Sequence, residues 1–197
     1  MDYIFLIGPS AVGKTTLAKA LFQHYKGVYL EQHMVPEFVI PDDVPDIGDY
    51  EETLCWENVL CQLAFFHSRG CRNIVALDFD DRRAREFPLL FKGSRFIILR
   101  LVSSDSRQIK AQMEYRRDHE GGLYAPENVE RSNTVISRRA LLPNEVMLDV
   151  AGKTRENVLE EAISIIDSFT PMLNYEYELP PETDYLSWVQ SRQKTTP

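Results

Sequence analysis

Short apolar runs alternate with amphipathic stretches along most of this chain. Tyr3-Ile4-Phe5-Leu6-Ile7 is β-branched and aromatic and stops at Gly8, the pattern of a strand buried on both faces. Beyond the glycines, Leu17, Ala18, Leu21, Phe22 and Tyr25 recur at three- and four-residue steps, which predicts a helix laying one face on a sheet. Residues 28–30 predict a second strand, and the Pro- and Asp-rich stretch 35–49 a loop. Over 51–68, Trp56, Val59, Leu60 and Leu63 fit an amphipathic helix that Gly70 ends. The Trp56, Phe65 and Phe66 group is expected in the core.

Residues 73–78 and 95–102 predict two more buried strands, with a short helical passage over 84–90 between them. A helix over 104–117, a glycine-containing loop over 118–126 and a helix over 127–141 follow. The last strand is expected at 146–150. The last helix, 154–169, carries Leu159, Ala162, Ile163 and Ile166 on one face and Thr154 as N-cap. Strand and helix alternate about five times and the strands are apolar throughout. This predicts an α/β fold, a three-layer α/β/α sandwich around a five-stranded parallel sheet. One domain over 1–170 is expected, followed by a tail over 171–197 rich in Pro, Glu and Tyr.

Composition narrows the function. The 197 residues carry a net charge of -8, which argues against a broad basic surface for nucleic acid or anionic membrane and requires any anionic ligand to be held locally. Cys55, Cys61 and Cys71 form no CxxC pair and no zinc spacing, so neither a disulfide framework nor a metal knuckle is expected. The absence of a long apolar run and of a basic leader predicts a soluble, cytoplasmic protein.

The strongest chemical signal is Gly8-Pro9-Ser10-Ala11-Val12-Gly13-Lys14-Thr15, which fits G-x-x-x-x-G-K-[ST] and lies between a predicted strand and a predicted helix. Such a loop aims backbone N–H groups and the positive end of a helix at phosphate oxygens, and glycine permits the close approach. With Thr16 this segment is the expected triphosphate site. Lys14 is expected to reach the β- and γ-phosphates, and Thr15 to ligate Mg²⁺.

Asp78, Asp80 and Asp81 close the third apolar strand, at the sheet edge where ligands gather in open α/β folds. Asp78 is the candidate metal ligand and Asp80 the candidate base, and capping of the next helix is the competing structural role. Arg116, Arg117 and Arg131 flank the glycine-containing loop and are candidates for an arginine lid over 116–131. Arg138 and Arg139 are equally compatible with function and with a solvated helix face. Glu31, His33 and Glu37, with Arg82 and Arg83, are candidate acceptor contacts. Gly152 and Lys153, after the last strand, are expected beside the base. Leu148-Asp149-Val150-Ala151-Gly152 imitates a D-x-x-G switch, but too little chain follows to supply a guanine motif.

On these residues the chain resembles the P-loop nucleoside and nucleotide kinases. Gly8 to Thr16 with Leu17 is similar to the guanylate-kinase loop. The order from Ile74-Val75-Ala76-Leu77-Asp78 through Phe96-Ile97-Ile98-Leu99 to Arg116-Arg117 is similar as well, over about residues 3 to 169. The guanylate-kinase acceptor segment has no counterpart between Val28 and Glu52. The resemblance implies an ATP–Mg²⁺ donor site, an acceptor site built by residues 31–69 and an arginine lid. The implied activity is transfer of the γ-phosphoryl group to a small acceptor, a nucleotide or nucleoside first, with a sugar, a shikimate-like acid or an antibiotic hydroxyl as further candidates. A regulatory nucleotide-binding protein with slow or no hydrolysis is the second expectation.

Overall fold

A computed structural model describes residues 1–120 and 126–179. Five strands form the sheet: β1 (Tyr3–Ile7), β2 (Val28–Glu31), β3 (Ile74–Leu77), β4 (Phe96–Val102) and β5 (Glu145–Asp149). All neighbours pair in parallel, in the order β2-β3-β1-β4-β5. Between them run α1 (Lys14–Tyr25), α2 (Ile47–Ser68), the short α3 (Asp81–Ala84) and α4 (Phe87–Leu90), α5 (Ser106–Glu120), α6 (Pro126–Arg138) and α7 (Arg155–Ser168).

Alternation along the central strand explains the layers. Ile4 and Leu6 of β1 face a core shared with Leu17 and Leu21 of α1, Ile109 of α5 and Ile166 of α7. Tyr3, Phe5 and Ile7 point the other way, into a core with Trp56 and Leu63 of α2 and Phe87 of α4. That second layer is aromatic: the rings of Phe5 and Phe87 stack with centroids 4.1 Å apart, and Trp56 meets Phe79 edge-on. Trp56 is therefore core as expected, whereas Phe65 is exposed on the outer face of α2 and Phe66 half-buried.

The helix expected over 127–141 ends at Arg138 and the passage expected over 84–90 splits into α3 and α4; two further boundaries differ for local reasons. Helix α2 starts four residues earlier than its periodicity, because Asp46 caps it by accepting from the Asp49 amide at 3.0 Å. Helix α5 continues through Asp118 and His119, where the His119 ring stacks on Tyr115 one turn back and bonds its carbonyl. Residues 121–125 of the expected loop lie outside the described residues.

The start of the expected tail is docked. Asn144 bonds both the N–H and the carbonyl of Met172, Tyr175 donates to the Pro88 carbonyl at 2.5 Å, and Tyr177 to that of Arg85 at 2.8 Å. The rest of that tail, 180–197, lies outside the described residues. No helix among the described residues is long and apolar enough to cross a membrane.

Candidate functional site

The glycine-rich turn leaves β1 at its carboxyl end and enters α1. Gly8 (φ 143°), Ala11 (φ 63°) and Gly13 (φ 101°) take left-handed backbone, which curls successive N–H groups inward as an anion cradle. Gly8 is fixed by space as well, since a Cβ there would stand 2.3 Å from the Leu101 carbonyl oxygen of β4. The Lys14 ammonium folds back over the loop, donating to the Gly8 and Pro9 carbonyls at 3.1 Å each. Burial pushes its pKa down, the charge of Arg116 adds to this, and Asp78 opposes it.

Asp78 follows β3, beside the strand that feeds the loop, and holds left-handed backbone (φ 69°) without being a glycine. Such a conformation is uncommon for a side-chain-bearing residue and persists where its surroundings impose it. Burial raises the carboxyl's pKa, with the charge of Glu31 adding to it and Lys14 and His33 pulling the other way. Asp80 caps α3, accepting from the Arg83 amide at 2.6 Å, so the capping role holds for this residue while its side chain also lines the crevice.

Two cavities flank the turn. One, of about 430 Å³, is walled by Val12, Gly13, Thr16 and Leu17 on the loop side. Gln108, Ile109 and Gln112 of α5, Lys153 and Thr154 of the β5–α7 connection, and Val158 and Leu159 in the first turns of α7 close it. The other, of about 660 Å³, opens on the opposite side of the turn, among Gly8, Pro9, Ser10, Lys14, His33, Asp78, Asp80, Arg82 and Arg131.

The sequence candidates divide accordingly. Lys14, Asp78, Asp80, His33, Arg82 and Arg131 share the larger cavity, while Thr16 and Lys153 face the smaller one. Thr15 is half-buried at the start of α1. Lys153 pairs with Glu161 at 2.5 Å, and the Gly152 N–H points to Gln108 Oε1 at 3.5 Å. Glu31 accepts from the Tyr29 hydroxyl at the end of β2. His33 and Gln32 both bond Glu52 of α2, at 3.1 and 2.7 Å, tying the β2 exit to that helix.

Others point elsewhere. Arg83 turns to Glu86, Thr53 and the Trp56 ring, and Glu37 is exposed on the loop before α2. Arg116 lies close enough to depress the Lys14 pKa, whereas Arg117 pairs in the open with Asp118 at 2.9 Å. Among the described residues no three His, Cys, Asp or Glu side chains gather as a metal cage.

Comparison with known proteins agrees with this architecture. No protein-family model matches the chain, and no curated protein does. Solved structures do. A gluconokinase from Sinorhizobium meliloti 1021 superposes with a TM-score of 0.56 at 15% identity, over 84% of this chain and 91% of its own. A sugar kinase from Janibacter sp. HTCC2649 gives 0.57 at 18%, over 85% and 95%. A thymidylate kinase from Candida albicans gives 0.53 at 15%, over 85% and 91%. The fold is that of the P-loop NTPases. At these identities the likeness is one of fold, and it does not extend to guanylate-kinase specificity.

Sequence reasoning missed Gln108 and Gln112 on the small cavity, and a buried ionic group made by Asp81, Arg100, Arg139 and Glu145. A signal for the second existed: Arg100 interrupts the apolar run Ile97-Ile98-Leu99 and yet is 1% exposed.

Proposed function

We propose that this chain is an ATP-dependent phosphotransferase that moves the γ-phosphoryl group to a hydroxyl of a small molecule. The observation that supports it best is the pair of cavities sharing one phosphate loop. Protein that only binds or hydrolyses a nucleotide needs a single pocket, whereas transfer between two bound molecules needs a second one across the phosphates. The smaller cavity suits a base between the apolar edge of α1 and the loop around Lys153. The larger one, carrying Lys14, Asp78 and Asp80, suits the acceptor.

The residues present fit Mg²⁺–ATP. The left-handed turn offers N–H groups to the phosphates, and Thr15 with Asp78 supplies the hydroxyl and the single carboxylate that a hydrated magnesium ion needs beside phosphate oxygens. When bound, the ion neutralises charge on the bridging oxygens. Lys14 steers the γ-phosphate, and Asp80 takes the acceptor hydroxyl's proton as the hydroxyl oxygen bonds to the γ-phosphorus and the bond from that phosphorus to the β–γ bridging oxygen breaks, releasing ADP; Arg116 and Arg131 stabilise the transferring group.

The acceptor side has a charge signature. From Gly27 to Ser68, the chain that forms β2, the connecting loop and α2, there are nine Asp or Glu residues and no Lys or Arg. Only His33 of that stretch lines the cavity, so the acid excess acts as a net negative field and not as a lining; that field favours a nucleoside or sugar hydroxyl over a nucleoside monophosphate. Transfer from radiolabelled MgATP to a panel of nucleosides, sugars, hydroxy acids and nucleoside monophosphates tests this. A labelled phosphomonoester of a neutral acceptor is expected. Triphosphate binding with slow hydrolysis and no labelled product would overturn the reading in favour of a regulatory nucleotide-binding protein.

A further inference from the structure

Behind the larger cavity, the buried charges of Arg100, Arg139 and Glu145 join Asp81, which is half-buried and itself lines that cavity, so that four separate elements are tied together. The Arg139 guanidinium, just past α6, donates from Nε to both oxygens of Asp81 at 3.0 and 2.9 Å, and from its two Nη atoms to both oxygens of Glu145 on β5 at 3.0 and 2.7 Å. Arg100 of β4 donates to the carbonyls of Ile136 and Arg139 at 2.8 and 2.7 Å and stands 3.4 Å from Glu145. Glu145 also accepts from the Leu142 amide at 2.6 Å. Burial works against the Arg139 charge, yet the two carboxylates outweigh it and hold its pKa above the ordinary value. Burial depresses that of Arg100, with Arg139 adding to the effect.

Stability alone is a poor reason for such a group. Several kcal/mol are lost for each ion taken from water, and well-packed apolar side chains of similar volume often serve as well or better. What the ions supply is direction, because a guanidinium fork binding two carboxylates fixes distance and angle together. The directions fixed are those of the crevice walls. Asp81 is the residue after Asp80, and the carbonyls held by Arg100 close the C-terminal end of α6, where no intrahelical donor remains. Arg131, Ser132, Val135 and Ile136 of that helix form the facing wall. Arg131 stands two turns before Arg139, about 12 Å along the helix axis.

We propose that the Asp81–Arg139–Glu145–Arg100 cluster is a positioning device that sets the gap between the acid loop and α6, and thereby the alignment of Asp78 and Asp80 with Arg131 across the transferring phosphoryl group. It rests on the phosphotransferase reading above. It leaves the base cavity alone, since none of its four residues lines that space.

The test uses Asp81→Asn, which keeps the side chain's shape, with Arg139→Lys, Arg139→Met and the Asp81→Asn/Arg139→Met double variant. Turnover of MgATP is measured with water and with each panel acceptor, and MgATP affinity by calorimetry, on protein shown to be folded by circular dichroism. Asp81→Asn is expected to lower kcat by about tenfold to a hundredfold, the size of a small misplacement of reacting groups, with MgATP affinity within about twofold. Arg139→Lys, which keeps the charge but not the fork, should fail to restore kcat. The double variant should be no slower than Arg139→Met, as expected of residues acting as one unit. Variants that melt at lower temperature but turn over at the parental rate would overturn the proposal and leave the kinase reading standing. A parent that binds MgATP but transfers to neither water nor any acceptor would overturn both, and that failure shows in the parent alone.

Discussion

Two sets of charge lie at and behind one crevice, and they are handled in opposite ways. Lys14 and Asp78 feel one another, yet the Lys14 ammonium bonds only carbonyls, and both groups are pushed toward their neutral forms by burial. A few residues away, Arg139 is matched atom for atom by Asp81 and Glu145, and its charge is favoured. The first set is left short of partners where a triphosphate and a cation can complete it. The second is paired without a ligand, save for Arg100 Nε, which stands 3.4 Å from Glu145 without a hydrogen bond. Ligand-binding charge and scaffold charge can thus be told apart by whether their pairing is finished inside the protein, and substitutions should separate them by sign.

The largest effect is expected in the scaffold. Glu145→Ala leaves two buried guanidiniums without their shared carboxylate and should destabilise the fold by about 3–5 kcal/mol, read from urea unfolding. A loss below about 1 kcal/mol would show that solvent reaches the cluster and would erase the contrast with Lys14.

Lys14→Met should do the reverse. Removal of a charged donor to phosphate is expected to weaken triphosphate affinity by about a hundredfold in calorimetry. Stability should rise: a lysine whose pKa falls on folding contributes stability that is present above its unfolded pKa and lost as pH falls, so at neutral pH its ammonium is a burden. A lower melting temperature in Lys14→Met would mean that its bonds to Gly8 and Pro9 outweigh burial.

The lid arginines sharpen the comparison further. Arg116→Ala is expected to lower kcat by about tenfold with little change in MgATP affinity, because its charge already reaches Lys14. Arg117→Ala should stay within about twofold, since that side chain pairs with Asp118 in solvent. Equal losses from both would place the two arginines in one mobile lid.

How much of this was readable in the sequence follows from the range of the interactions. The phosphate turn is built by local backbone, so the spacing of Gly8, Gly13 and Lys14 gave it away, and alternation in β1 gave the two-layered core. The Asp81–Arg139 contact spans 58 residues and the pairing of Arg100 with the α6 carbonyls 36 and 39. No periodicity records such contacts. Arg138 and Arg139 look alike in sequence, yet one is exposed and the other 2% exposed, because only the second follows the end of α6 where β5 delivers Glu145. The cap of α2 was missed for a related reason: Asp46 lies in a stretch whose Pro and Asp content reads as loop until the Asp49 amide is placed beside it.

The smallest expected effect is the most diagnostic of the Lys14–Asp78 set. An aspartate whose pKa rises on folding contributes stability that is full below its unfolded pKa and lost as pH climbs through the raised folded value, so ionised Asp78 burdens the fold at neutral pH. Asp78→Asn removes that charge and keeps the shape. Asparagine also tolerates the left-handed backbone at this position, so the substitution adds no strain there. The variant should therefore melt slightly above the parent at pH 7, with the difference closing as pH falls toward the ordinary carboxylate range of about 4. Binding should move the other way: Mg²⁺-dependent ATP affinity falls, while ATP affinity measured in EDTA holds, because the carboxylate acts through the cation and not through the phosphates. A variant that melts below the parent across the whole pH range would make Asp78 a scaffold residue like Glu145, and the division between finished and unfinished charge would then run along a different line.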